Sequence, residues 1–201
     1  MTGILCPSIF EYRFLKSMRL NRKKAVLALS GMGKVRALHS CHELARKNPE
    51  LTDILLVGYA GGLSGLKIGD LVEPDIFIEM DYDARPFEAF PNSIRSSTGK
   101  LFSRSKRCAL LTQDRFLKEN PFKGTSLAKR HARLACDMEA YAAAYFCQAR
   151  KMSFSAIKLI SDAADGSADH DFLKACKRLA PELKRTVAEA VDIIHKRRKK
   201  K

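Results

Sequence analysis

The sequence predicts an α/β fold: a single-domain three-layer α/β/α sandwich around a mixed, largely parallel central sheet. Short, nearly continuous apolar runs such as residues 25–29 and 54–57 are typical of strands buried on both faces. Helical patterns at residues 34–48 and 138–150 alternate with those runs, as in layered α/β proteins. The chain has 201 residues, 46% of them hydrophobic, which is enough for one substantial core.

The N-terminal half begins with a short apolar strand at residues 4–6 and a helix over residues 9–20, whose apolar residues recur every three or four positions. Residues 25–29 form the next strand and end in a tight turn at 30–33. The helix over residues 34–48 stops at Pro49, which cannot continue it. The strand at residues 54–57 ends in a glycine-rich turn, residues 58–62.

The C-terminal half alternates in the same way. Its predicted strands are residues 71–80, interrupted by Pro74, then 109–112, 134–136 and 156–160. Residues 81–107 contain many turn formers and charges and are predicted to be loops. A helix at 138–150 precedes the last strand, which ends at Ser161 and Asp162. The final helix begins near Asp169 and is expected to be kinked or split at Pro181.

The net charge of +15 is concentrated in part at the C-terminus, where all six residues from 196 to 201 are Lys or Arg. We therefore predict one domain, residues 1–195, followed by a solvated basic tail, residues 196–201. The alternative is a tail that binds nucleic acid or anionic lipid. The chain lacks the interleaved basic and aromatic residues that stack on bases, which disfavours a nucleic-acid role.

Membrane and secretory signals are not evident in the sequence. No apolar run approaches the roughly 18–20 residues that span a bilayer, and the N-terminus does not resemble a signal peptide. The six cysteines contain no Cys-x-x-Cys spacing and mostly fall in apolar stretches, so we expect buried free thiols in a reducing cytoplasm. We expect no metal site, because paired ligands at short spacing are missing.

Candidate site residues follow the predicted strands, where ligands bind in such sheets. The glycines after two strands allow close backbone approach, although tight turns alone would also explain them. Asp162 follows a buried strand directly, with helix capping as the alternative role. Glu139 lies at the start of an apolar helix, where an acid is favourable for electrostatic reasons as well.

Four segments carry a family resemblance in their order along the chain. They are SGMGKV at 30–35, GYAGGL at 58–63 with GDLV at 69–72, DMEA at 137–140 and SDAAD at 161–165. Together they resemble the methylthioadenosine/S-adenosylhomocysteine nucleosidases and the futalosine hydrolases of menaquinone synthesis, within the nucleoside phosphorylase and nucleosidase superfamily. The resemblance implies a homodimer that uses water, without a metal or organic cofactor, to cleave the N-glycosidic bond of a purine nucleoside.

The resemblance also assigns roles to single residues. Asp162 matches the general acid that protonates N7 of the purine, with Ser161 orienting it, and such an acid needs a raised pKa to act near pH 7. Glu139 matches the acceptor of the ribose 2′- and 3′-hydroxyls, and Met138 the methionine packed on the sugar. Lys158 stands where arginine is usual, so its substrate contact is expected to differ in geometry.

Glu11 matches the base that activates water, with a surface glutamate early in a helix as the alternative. A carboxylate there would repel phosphate, whereas a phosphorylase would need arginines around the anion, so hydrolysis is favoured. Phe116 and Leu117 resemble the segment that stacks on the purine and hydrogen-bonds it through the backbone. Simple core packing is the alternative for Phe116.

Three departures from the family pattern concern the substrate. Tyr59 replaces a usual serine beside Gly61, strands expected after the first helix are missing, and residues 81–91 match poorly. Met32, Phe87 and Phe90 are predicted to build an apolar pocket for the 5′ group. The 5′ group is therefore either methylthio-like or bulkier, as in futalosine. A purine nucleoside phosphorylase and a non-enzymatic nucleoside- or nucleic-acid-binding protein remain the alternatives.

Overall fold

The computed structural model describes residues 1–87 and 92–199. In these residues the strands are β1 (Thr2–Cys6), β2 (Ala25–Leu29), β3 (Asp53–Ser64), β4 (Leu71–Glu79), β5 (Asn92–Arg95), β6 (Lys106–Thr112), β7 (Leu134–Asp137) and β8 (Ser153–Asp162). The helices are α1 (Ile9–Leu15), α2 (Lys34–Lys47), α3 (Ser126–Arg130), α4 (Ala140–Ala149) and α5 (Ala168–Arg198).

The strands form one mixed sheet in which parallel pairs predominate, as predicted. β1 pairs in parallel with β2 and β3, β3 with β8, and β6 with β4 and β7. The antiparallel pairs are β3 with β7, β4 with β5 and β4 with β8. Because Gly61 of β3 pairs with β8 on one edge and with β7 on the other, the strands β3, β8, β4, β6 and β7 close into a ring, with β1 and β2 extending the sheet from β3.

Helices cover both faces of the sheet, which confirms the three-layer sandwich. Alternate residues of β3 belong to different core clusters: Leu56 packs with α2 and α4, whereas Leu55 and Val57 pack with α1 and α5. The first cluster contains Cys41 of α2 and the second contains Leu183 of α5, both buried. The two faces are therefore separate apolar layers on either side of one sheet.

Three predicted elements differ from the structure, and one helix was not predicted. The first helix ends at Leu15, not residue 20, and the Ser17 hydroxyl bonds the Phe14 carbonyl as the chain leaves the helix. Residues 58–62 do not form a turn but continue β3, because β8 and β7 pair with them. Residues 81–107 are not all loop: they include β5 and the start of β6. The short helix α3 was not predicted.

Helix α5 is continuous through Pro181. Proline removes the hydrogen bond to the residue four positions earlier, here Lys177, and both residues are exposed, so water can hydrate the freed carbonyl. The helix also continues to Arg198, so the domain boundary placed after residue 195 falls inside it. Arg197 donates hydrogen bonds to the carbonyls of Gly99 and Lys100 at 3.1 and 2.6 Å, which joins this end of the helix to the domain.

All six cysteines are free and buried, as predicted. Within residues 1–87 and 92–199, no helix combines the length and the apolar character that crossing a membrane requires.

Candidate active site

A cavity of about 400 Å³ lies beside the ends of β1, β7 and β8 and against the middle of β3. The predicted residues that line it are Glu11, Met32, Tyr59, Gly61, Phe116, Leu117, Met138, Glu139, Ser161 and Asp162. Lys158 is not among its lining residues. Phe87, predicted for the 5′ pocket, is 90% exposed and does not line the cavity, because it belongs to the surface connection after β4. Phe90 lies outside the described residues.

Asp162 ends β8 inside this cavity, where its carboxyl group has two defined partners. Oδ2 accepts a hydrogen bond from the Ser161 hydroxyl at 2.6 Å, and Oδ1 accepts one from the Ala164 amide at 2.9 Å. Burial raises the pKa of Asp162, and the bond from Ser161 opposes that shift. The capping alternative is wrong, because α5 begins only at Ala168. A buried carboxyl group with a raised pKa is suited to donate a proton.

Glu11 occupies the third position of α1 and is only 2% exposed, so the alternative of a surface glutamate is wrong. Its Oε2 accepts from the Ser8 amide at 2.7 Å, while the Ser8 hydroxyl accepts from the Glu11 amide at 3.2 Å. This reciprocal capping box fixes the start of the helix. Oε1 accepts from the Tyr59 amide on β3 at 2.9 Å. Burial raises the pKa of Glu11, and the positive charge of Lys158 opposes the shift.

Gly58 makes room for this carboxylate. A Cβ atom at Gly58 would lie 2.3 Å from Glu11 Oε1, and the residue has a φ of +149° that side-chain-bearing residues rarely adopt. Gly61 plays a similar part at the next site along β3, where a Cβ atom would lie 2.9 Å from Cys136 Sγ and 3.0 Å from Asp162 Oδ1. The glycines of β3 therefore allow two carboxyl groups to approach the strand.

Glu139 directly precedes α4 and is 4% exposed. Its Oε1 accepts a hydrogen bond from the Gly33 amide at 3.0 Å, which ties it to the turn before α2. Burial raises the pKa of Glu139, with Lys158 opposing the shift and Asp137 adding to it. The neighbouring Asp137 bonds the Thr112 hydroxyl at 2.8 Å and the Ala140 amide at 3.1 Å, so it caps the helix and leaves Glu139 available to the cavity.

Lys158 lies behind these carboxylates and is fully buried. Its Nζ is 3.0 Å from Asp137 Oδ2 and 3.9 Å from Glu139 Oε2. On β3 its parallel partner is Gly58, where the missing side chain leaves room for Glu11. The structure thus places Lys158 as a buried counter-charge to the carboxylates, and the predicted direct contact with substrate is not favoured by its position.

An aromatic cluster that the sequence did not reveal covers part of the cavity. The ring of Phe172 on α5 makes edge-to-face contacts with Phe10, Tyr59 and Phe116 at centroid distances of 6.4, 6.0 and 6.1 Å. Phe116 is 37% exposed, so simple core packing does not describe it. Leu173 also lines the cavity. Phe172 was not predicted as a site residue. It lies on α5, ten residues after Asp162, and the apolar residues of that helix have the spacing expected of core residues.

Tyr59 contributes to the site mainly through its backbone. Its side chain turns towards α5, where the hydroxyl donates to the Cys176 carbonyl at 3.1 Å, while its amide serves Glu11. The phenol ring therefore lies against α5, at the edge of the cavity.

Comparison with known proteins identifies the family. Residues 10–192 match the family model described as Phosphorylase superfamily. The chain belongs to this superfamily. It is 31% identical over 172 residues to the 5′-methylthioadenosine/S-adenosylhomocysteine nucleosidase of Actinobacillus succinogenes, covering 76% of this chain and 74% of the relative. The corresponding nucleosidase of Staphylococcus epidermidis is 29% identical over 193 residues, covering 87% and 84% of the two chains.

Solved structures of the superfamily share the fold. The nucleosidase of Neisseria meningitidis in complex with methylthio-immucillin-A has a TM-score of 0.81 and 26% identity, covering 94% of this chain and 97% of that one. The futalosine hydrolase of Helicobacter pylori has a TM-score of 0.82 and 21% identity, covering 95% and 97%. This second likeness concerns the fold alone. The nucleoside phosphorylase-like sandwich expected from the sequence is confirmed.

The charge of the cavity in this superfamily member is mainly acidic. Glu11, Glu139 and Asp162 line it, and Arg115 is the only cation among the described lining residues. A cluster of arginines suited to hold phosphate is therefore not found in the described part of the cavity. The arrangement favours a neutral nucleophile such as water.

Proposed function

We propose that this protein hydrolyses the N-glycosidic bond of a 5′-modified purine nucleoside and releases the purine base. The observation that carries the proposal is the presence of Glu11 and Asp162 in one cavity, both buried and each held by separate hydrogen bonds. Membership of the superfamily and the relatives named as nucleosidases support it.

Departure of the purine requires a proton, because an anionic purine is a poor leaving group. Asp162 is the group that we assign to this step, donating its proton to N7. Its raised pKa keeps a larger fraction of the acid protonated near neutral pH than an exposed aspartate would have. The Ser161 hydroxyl and the Ala164 amide hold the two oxygens in fixed positions, so the acid is oriented before substrate binds.

Glu11 is the group that we assign to water activation. Each of its oxygens accepts one backbone hydrogen bond and keeps a further lone pair for a water molecule. As the bond to the purine breaks, positive charge develops at C1′ of the ribose. The water attacks C1′ and its proton passes to Glu11, whose raised pKa makes it a stronger base than an exposed glutamate.

The remaining lining residues bind the substrate. Glu139 accepts hydrogen bonds from the ribose 2′- and 3′-hydroxyls while Met138 packs against the sugar. Phe116 stacks on the purine, and the backbone of Leu117 hydrogen-bonds its edge. Apolar side chains of the cavity wall, Met32, Phe10, Phe172 and Leu173, surround the space left for the 5′ group.

The charges of the residues that line the cavity favour hydrolysis over phosphorolysis. A phosphate ion at the attacking position would meet the Glu11 carboxylate, and the described lining residues offer Arg115 as their one guanidinium group. Water has no charge to repel. The proposed reaction needs no metal or organic cofactor.

We further propose that the protein is a cytoplasmic homodimer. Val35 and Leu38 on α2 and Tyr145 on α4 are 77%, 41% and 55% exposed, an apolar surface that a second copy would cover. Six free cysteines suit a reducing compartment. A preference for futalosine or aminodeoxyfutalosine would indicate a role in menaquinone synthesis, whereas methylthioadenosine or S-adenosylhomocysteine would indicate a role shared with the relatives named above.

The test is purine release from methylthioadenosine, S-adenosylhomocysteine, futalosine, aminodeoxyfutalosine, adenosine and inosine, each with and without phosphate. Asp162→Asn is expected to lower turnover by about 10²–10⁴-fold, the usual contribution of a general acid. Asp83→Asn is the matched control, because Asp83 is exposed and bonds Arg85 outside the cavity. Acceleration by phosphate would indicate a phosphorylase, and no release of any base would indicate a binding protein.

A further inference from the structure

Lys34, the first residue of α2, uses its backbone and its side chain to hold three carboxylates. Its amide donates to Asp114 Oδ1 at 2.7 Å. Its Nζ lies 2.8 Å from Glu79 Oε1 and 2.5 Å from Asp81 Oδ1. The side chains of Lys34 and Glu79 are each only 17% exposed, so this is a partly buried ion pair and not a surface one.

The three carboxylates belong to two segments that meet at Lys34. Glu79 ends β4, and Asp81 lies two residues later in the connection that follows. Asp114 follows β6, and its own amide donates to Asp81 Oδ2 at 2.8 Å, which closes the network. Burial on its own lowers the pKa of Lys34, but the bonds to Asp81 and Glu79 raise it above the ordinary value, so the ammonium group stays charged.

This network is joined to the cavity at two places. Gly33, directly before Lys34, donates its amide to Glu139 Oε1 at 3.0 Å. Asp114 precedes Phe116 by two residues, and Phe116 lines the cavity. Lys34 therefore stands between the carboxylate assigned to the ribose and the segment assigned to the purine, although it does not line the cavity itself.

We infer that Lys34 is a positioning residue that sets the distance between the ribose-binding carboxylate of Glu139 and the purine-binding segment at Phe116. The inference rests on the proposed function, because it assigns Lys34 to nucleoside binding at that same site. Lys34 holds the start of α2 against Asp114 through its amide and fixes Asp81 and Glu79 through its ammonium group. Loss of the ammonium group leaves these two carboxylates without their cation, although the backbone bond from Lys34 to Asp114 remains. Asp81 is then held less firmly, so its bond to the Asp114 amide fixes the Asp114–Phe116 segment less well relative to Glu139.

The ribose and purine contacts are present in the bound ground state as well as in the transition state. Loss of their alignment therefore weakens substrate binding more than it slows the chemical step. Lys34→Met is expected to raise KM for the preferred nucleoside about tenfold, the effect of one charge-assisted hydrogen bond, with kcat changed less than about threefold. Lys34→Arg keeps the charge and is expected to restore most of the loss in KM.

The matched control is Lys24→Met, which removes the same side chain from an ion pair with Asp192 at 2.9 Å, away from the cavity. Asp81→Asn is the second test variant: it breaks the pair with Lys34 without altering α2, and it is expected to raise KM in the same direction. Equal KM values for Lys34→Met, Asp81→Asn and the Lys24→Met control would overturn the inference. So would a fall in kcat at unchanged KM.

The proposed function and this inference fail in different ways. If the wild-type protein releases no purine from any nucleoside, the proposed function is wrong and with it the role assigned to Lys34. If the wild-type protein is active and Lys34→Met melts at a lower temperature with an unchanged KM, Lys34 has only a structural role and the inference alone is wrong.

Discussion

The Nζ of Lys158 lies 3.0 Å from Oδ2 of Asp137, and both side chains are buried. Burial alone lowers the pKa of this lysine, but Asp137, Glu139 and Glu11 together raise it above the ordinary value. The ammonium group therefore stays charged beneath the cavity. It provides the positive charge that allows several acidic groups to be buried near one another.

Replacement of Lys158 by methionine is expected to destabilise the fold by about 3–5 kcal/mol, because Asp137 is then left as a buried, unpaired charge. Lys158→Arg keeps the charge and is expected to lose less. Urea unfolding at neutral pH measures both variants. Equal free energies of unfolding for Lys158→Met and the wild-type protein would contradict the assigned role of the lysine.

Gly58→Ala is expected to impair catalysis by displacing Glu11. The added Cβ atom would lie 2.3 Å from Glu11 Oε1, so the carboxylate must move away from the Tyr59 amide. Because a misplaced catalytic group can cost about 100-fold in rate, a loss of that order in kcat is expected.

Gly69→Ala is the control for this substitution. Gly69 also has a positive φ, +94°, but no atom lies within 4 Å of a Cβ atom built there. Gly69→Ala therefore introduces backbone strain, but the added Cβ atom does not collide with a neighbouring atom. A similar kcat for Gly58→Ala and Gly69→Ala would show that the position of Glu11 is not limiting.

Glu139 is expected to make stability depend on pH. Its pKa is raised in the folded protein, chiefly by burial, so the fold favours the protonated form. The contribution to stability is complete below the ordinary value of 4.5 and is lost as the pH rises through the raised value. Unfolding free energies of Glu139→Gln, measured from pH 4 upwards in urea, are expected to fall less steeply with pH than those of the wild-type protein. Parallel pH profiles would contradict this assignment.

Tyr59→Phe is expected to cost about 1 kcal/mol of stability, the usual value of one hydrogen bond, because the bond to the Cys176 carbonyl is lost. The backbone amide of residue 59 still donates its hydrogen bond to Glu11, so kcat is expected to stay near the wild-type value. Thermal unfolding and purine release test the two parts separately. A large loss of kcat at full stability would mean that the phenol itself contacts the substrate.

The sequence pointed to two carboxyl groups of the cavity because their position follows from a simple rule. Asp162 ends the buried strand β8 and Glu139 lies two residues after β7, and ligands in α/β sheets bind at such strand ends. The two ends meet because Gly61 of β3 pairs with both β7 and β8. Glu11 depended on the family resemblance, since a helix start with an acid is common on surfaces. Its burial comes from Gly58 on a distant strand, a contact that local sequence does not encode.

The errors have a common physical origin in long-range pairing. Residues 58–62 resemble a turn because glycine usually interrupts strands, yet here two neighbouring strands pair with them and the missing side chains admit Glu11 and Asp162. Phe87 was predicted for the 5′ pocket from its apolar character alone. Phe172 belongs to the cavity because α5 crosses the sheet there, and its spacing along the helix looks the same as that of core residues.

Because the strands form a closed ring, the position of Asp162 and the preference for a particular nucleoside depend on different parts of the protein. Asp162 and the strand residues beside Glu11, Gly58 and Tyr59, belong to the ring, where backbone pairing between β3 and β8 fixes their positions. Phe10, Phe116 and Phe172 come from a helix, a connection and another helix outside it. Mutations of these outer side chains can alter which nucleosides fit while Asp162 stays in place. Evolution within such a scaffold can therefore diversify substrate preference without first losing catalysis.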